Sequence, residues 1–298
     1  MRLASRALVL AVAISAVAGL WWAHQSLKRT VLRTPGAEVE AGAQRARRLF
    51  GEARRWIANG TPPINEVRDL TLTLDAKVDL EGMRHEGPLH LWLEPPDRLR
   101  QERYMTNTLT AEVLTGDTLH VRDTHSTFQE APRDADGAAS RRRAQADRER
   151  WSRLARFLAL VDLDGADVAF EYEGEKTPRG NFGRPDGDTW VKTVRKAASR
   201  PNIYFWLAHT QDAQGVMHAT YPGVVRIDGS PMDGVPTEDF VFRDWREPGS
   251  GSLSPYRHPR QILAFQIHPG HQPLNFLTAI VLDHALNAGI DPSRFEPK

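Results

Sequence analysis

The chain has no cysteine among its 298 residues. That absence excludes disulfides, thiolate nucleophiles, cysteine-based zinc sites and lipidation of a mature N-terminal cysteine, so the protein is not itself a bacterial lipoprotein. It also lacks an excess of either charge. Lys and Arg number 39 against 38 Asp and Glu, and the net charge of +1 supplies no field that would draw in nucleic acid. HExxH, GxSxG and Walker loops are missing. The closest histidine pairs, His268/His271 and His120/His125, do not have metal-ligand spacing on a helix, and Pro269 works against a rigid site in the first. Structural or surface roles fit them better. The acidic runs Glu171/Glu173/Glu175 and Asp162/Asp164/Asp167 read as solvated loop edges, with a weak calcium site as the other reading. No catalytic set, metal or cofactor is expected.

The one long apolar run is at the start. Arg2 and Arg6 precede a stretch of about 17 apolar residues ending near Ala23, and Lys28-Arg29 follows. Residues 1–23 are therefore an export signal. Ala16-Val17-Ala18 would serve for cleavage, whereas Trp21-Trp22 with the following cations fits a retained membrane anchor. Residues 24–36 form a spacer, and 37–298 one domain outside the cytoplasm.

Within that domain, 37–59 reads as an amphipathic helix, with Val39, Ala43, Ala46, Leu49, Phe50, Ala53, Trp56 and Ile57 on one face. Arg45, Arg47, Arg48, Arg54 and Arg55 lie on the other, a solvated face or one that touches a lipid surface. Residues 67–80 alternate leucine with polar partners for so long that a curved or bulged strand is expected. Residues 87–123 then read as four antiparallel strands, turned at Pro95-Pro96-Asp97 and at Thr115-Gly116-Asp117. Residues 132–150 are dense in charge, a loop or the solvated start of a helix. Further strands are expected at 166–173, 189–196, 202–209, 216–221, 224–228, 239–246, 260–268 and 274–287. The last segment could be a helix by composition, although Phe276, Thr278, Ile280, Leu282 and Leu286 alternate. With no regular alternation of strand and helix, the fold class is α+β, a single curved antiparallel sheet over a few helices.

The order in LHLWLEPPD, an Arg-bearing strand, and VLTGDTLHVRD resembles the periplasmic outer-membrane lipoprotein carriers, the LolA-like and LolB-like half-barrels. The ending resembles theirs as well, through Asn287, Ile290, Asp291, Phe295 and Pro297, and this resemblance tips 274–287 to strand. This resemblance implies a non-catalytic, exported protein that binds a lipid acyl chain or an acylated protein in an apolar cavity, and that touches the inner membrane through its N-terminal segment if uncleaved. It also implies that 140–163 is a lid helix, carrying Trp151, Leu154 and Leu158; ordinary packing of a helix on a sheet is the other reading. Candidate cavity liners on the strands are Leu72, Leu74, Leu91, Trp92, Leu93, Tyr104, Leu109, Val113, Leu119, Tyr204 and Trp206. Alternation puts Leu91 and Trp92 on opposite faces, so the set cannot all point one way. In the carriers an arginine before the strand-ending proline latches the lid; here Glu94 and Pro95 stand there, and Arg98 and Arg100 are the candidate latch. Two other functions stay open: an anchored envelope scaffold that binds a protein partner, and a hydrolase with a dispersed His/Asp/Ser set.

Overall fold

The computed structural model describes residues 35–80, 83–105, 108–161, 168–178, 189–197, 200–230, 235–249 and 254–298. The apolar leader, nearly all of the spacer and the Asp162/Asp164/Asp167 run lie outside them. No helix among the described residues is long and apolar enough to cross a membrane.

The described strands form one antiparallel sheet of 13. After helix α1 (Pro35–Ala58) come β1 (Leu70–Leu80), β2 (Met83–Glu94), β3 (Arg98–Met105), β4 (Thr108–Thr115), β5 (Thr118–Asp123) and the short β6 (Gln129–Glu130). Helix α2 (Ala135–Ala159) follows, then β7 (Val168–Glu175), β8 (Thr189–Ala197), β9 (Arg200–Gln211), β10 (Met217–Ile227), β11 (Thr237–Arg246), β12 (His258–Ile267) and β13 (Leu274–Leu286). The order across the sheet is β6-β5-β4-β3-β2-β1-β13-β12-β11-β10-β9-β8-β7. Two meanders thus run outward from the β1–β13 pair, and β6 and β7 are the free edges of an unclosed half-barrel.

That topology fixes where α2 goes. The chain must pass from one edge strand to the other, and a helix of 25 residues spans about 37 Å. Its middle and C-terminal half cross the concave face, where Phe157 meets Phe205 of β9 and Phe240 of β11 edge-on. Helix α1 packs on the same side, with Phe50 against Phe170 and Phe205. Its basic face is partly engaged: Arg45 lies over the Tyr172 ring, Arg48 donates to the Met217 carbonyl, and Arg54 donates to that of Ile64.

Alternation assigns the faces. Leu70, Leu72, Leu74, Ala76 and Val78 of β1 and Leu89, Leu91 and Leu93 of β2 are buried inward, in the core cluster that holds both helices. The bulge expected in the long first strand falls where Thr73 and Leu74 face Asp283 and Val281 of β13. On the outer face a second, smaller cluster joins Trp190, Trp206, Ala208, Val224, Val241 and Leu263. Gly223 is required there, because an added Cβ would come within 2.0 Å of the Trp190 ring.

Three details differ from the sequence reading. Residues 216–221 and 224–228 are one strand, β10, irregular on either side of Pro222 rather than interrupted by it. Helix α2 begins at Ala135, five residues before the expected 140, because Asp134 caps it by accepting from the Gly137 amide at 2.9 Å. It ends at Leu160, whose φ of 50° is left-handed, so Val161 lies beyond it.

Candidate functional site

A cavity lies between α2 and the concave face, walled by Val78, Leu89, Trp151, Leu154, Phe240, Phe276 and Leu277, with His85, Gln101, Arg103, Asp147 and Arg150 on its polar side. It leaves about 30 Å³ for the centres of water molecules.

The polar side arises from one departure in the strand pattern. On β3 and β4 the inward positions hold Gln101, Arg103 and Glu112 where neighbouring strands hold leucine. Helix α2 meets them with Arg143, Asp147, Arg150 and Arg153, spaced three and four apart and so on one face. Glu112 accepts from Gln101 at 2.7 Å, from Arg103 at 2.9 Å and from Arg143 at 2.9 Å. Asp147 accepts from Arg150 at 3.1 Å and from Gln101 at 3.3 Å. Arg153 donates to Glu238 of β11 at 2.8 Å, and Arg150 lies over the Phe276 ring at 5.2 Å.

Burial sets these protonation preferences. Desolvation alone would raise Glu112, but Arg103, Arg143 and Gln101 outweigh it and hold the carboxyl below its ordinary range. Asp147 has fewer partners, and burial pushes its pKa up. Burial also lowers His85, with the Arg103 charge adding to the effect and the Gly87 carbonyl opposing it.

A second set of contacts ties the helix to the strand turns. Arg148 Nη1 donates to the carbonyls of Asp97 at 3.0 Å and Gly116 at 2.9 Å, and Gln145 donates to Asp117 at 2.9 Å. Arg98 and Arg100, the candidate latch, make their contacts elsewhere. Both point to the outer face, where Arg98 pairs with Glu94 and lies over Phe295, while Arg100 donates through Nε to Glu102 at 2.8 Å and through Nη1 to the Arg294 carbonyl. Arg148, on the helix itself, grips main chain of both strand turns.

The candidate liners divide by face. Leu72, Leu74, Leu91, Leu93 and Leu119 share the concave core with Trp151, Leu154 and Leu158, and of all these Trp151 and Leu154 touch the cavity. Trp92 stacks with His90 on the other face, beneath Arg100 and Arg294, and Tyr104 donates to Glu102 there. Leu109 and Val113 share the parity of that face, with Val113 paired to Arg100 and His120. Tyr204 and Trp206 belong to the outer cluster, under Lys192. His85, Gln101, Arg103, Glu112, Asp147 and Arg150 had no place in the sequence reading. Their signal was polar residues at inward positions opposite a helix face of matching charge.

No protein-family model and no curated protein matches the chain. Solved structures do. A domain from Vibrio parahaemolyticus assigned to outer membrane lipoprotein sorting aligns over 84% of this chain and 97% of its own, with 11% identity and a TM-score of 0.39. A LolA superfamily protein from Nitrosomonas europaea aligns over 80% of this chain and 91% of its own, with 8% identity and a TM-score of 0.37. Among the described residues no group of three or more metal-ligating side chains comes together.

Proposed function

We propose that this chain is an exported, non-catalytic binding protein for acyl chains, carried by a lipid or an acylated protein and taken up between α2 and the concave face. The observation that carries this reading is the make-up of the seam under α2. Leucine and phenylalanine line the deep side, while the N-terminal half of the helix is held by hydrogen bonds and ion pairs that water can replace. Each methylene buried there contributes about 0.8 kcal/mol. The space open to water centres, about 30 Å³, is small for a chain, so α2 lifts when one enters.

That same small volume favours the second reading, an envelope scaffold whose cavity is filled by its own side chains and whose partner is a protein. Native mass spectrometry with lipid extraction, on full-length protein purified from an envelope fraction, separates the two. Co-purifying phospholipid, fatty acid or acylated peptide is the expected result. Protein that emerges empty and also fails to bind a fluorescent fatty-acid probe supports the scaffold.

A further inference from the structure

The polar wall of the cavity carries charges that do not cancel. Arg103 and Arg150 line it with Asp147, two guanidiniums against one carboxylate. His85, only 3% exposed, lines the same cavity. Its Nε2 lies 3.1 Å from the Gly87 carbonyl oxygen, while Nδ1 is buried without a partner. A carbonyl can only accept, so Nε2 carries the ring proton and Nδ1 presents a bare lone pair. The Arg150 Nε–H is buried as well, 3.9 Å from Glu238 Oε1 and in no hydrogen bond. Protein interiors seldom leave such atoms unsatisfied. His85 and Arg150 line the same small space, beside Leu89, Leu154 and Phe276.

We propose that the cavity selects its ligand by the head group, taking a single-chain amphiphile that ends in a protonatable acid, a carboxyl or a phosphate monoester. The acid donates its O–H to His85 Nδ1, its other oxygens accept from Arg103 and Arg150, and its chain runs over Leu89, Leu154 and Phe276. The excess guanidinium balances the charge of the acid when it ionises. A zwitterionic head without an acidic O–H leaves the imidazole unsatisfied. The inference rests on the acyl-chain reading above and adds the chemistry at the end of the chain.

Titration calorimetry on the full chain tests it with dodecanoate, monododecyl phosphate and methyl dodecanoate, all below their micellar range. The methyl ester keeps the chain but has neither the O–H nor the charge. At least tenfold tighter binding of one or both acids than of the ester is expected, and whichever acid is preferred identifies the head group. His85→Phe should shrink that preference to about threefold or less. Equal binding of acids and ester by the wild type overturns the head-group inference and leaves the acyl-chain reading standing. Binding of none of the three overturns both. The wild-type comparison decides the matter even if the variant fails to fold.

Discussion

Arg148, halfway along α2, donates from Nη1 to the main-chain carbonyl of Gly116 at 2.9 Å, and from the same nitrogen to that of Asp97 at 3.0 Å. The Gly116 amide in turn donates to the Asp97 carbonyl at 2.9 Å. One side chain thus clamps the helix to two strand turns that are already joined to each other.

Arg148→Ala should therefore free the N-terminal half of α2 without unfolding the sheet. A partly exposed, charge-assisted bond to main chain contributes about 1–2 kcal/mol. The expected outcome is a loss of stability in that range in urea titrations, with hydrogen exchange quickening in 135–150 and unchanged in β1 and β13. Equal quickening in those two strands would mean that the clamp supports the whole fold rather than the helix.

The centre of the sheet has its own clasp. Asn287, at the end of β13 with φ 56°, accepts through Oδ1 from the Arg68 amide at 2.8 Å and donates through Nδ2 to the Glu66 carbonyl at 2.7 Å. The Asp69 carboxylate accepts from the Ala288 amide at 3.0 Å and from that of Gly289. Asn287→Ala removes the side-chain bonds and places alanine in left-handed backbone, at a cost of about 2–3 kcal/mol. Asn287→Gly removes only the bonds and should cost about 1 kcal/mol less, because glycine adopts this backbone freely. Equal losses for the two variants, measured by chemical denaturation, would show that backbone conformation plays no part.

Much of this architecture was legible in the sequence, because its signals are local. Alternation in β1 and β2 needs only a side-chain period of two, and Pro95-Pro96-Asp97 ends a strand by removing a donor. The site was less legible. Alternation separates Leu91 from Trp92 but does not say which of them faces the helices, and that answer depends on where α2 crosses. Arg148, Asp147 and Arg150 sit in a stretch so charged that it reads as solvated. Their partners, Gln101, Glu112 and the two turns, are distant in sequence, and only the meander brings them under the helix.

Acid should weaken the fold through its buried histidines. His284 stacks on His258 with ring centroids 4.9 Å apart, and burial, reinforced by the His258 charge, lowers its pKa to about 3. His258 is lowered too, mainly by burial, with Arg246 adding to the shift and the Tyr256 main chain and Asp283 opposing it. An unfolded chain protonates His284 near pH 6.5, while the folded chain does not until about 3. The unfolded state therefore binds more protons throughout that window, and stability falls as pH drops. The slope from one such group reaches about 1.4 kcal/mol per pH unit. His284→Phe, which keeps a ring against His258, should flatten the wild-type slope between pH 6.5 and 5 by up to that amount. Parallel wild-type and variant curves in urea titrations across this range would rule out the assignment.

The central claim is that a ligand enters only when α2 lifts from the strand turns, and the absence of cysteine makes it directly testable. Asp117→Cys with Gln145→Cys places the only two thiols where α2 meets the β4–β5 turn, at side chains now 2.9 Å apart. Joining them with a short bis-methanethiosulfonate bridge fixes the helix, and reduction releases it. Dodecanoate binding should be lost in the bridged protein and return to the wild-type level on reduction. Undiminished binding with the bridge in place would contradict the account.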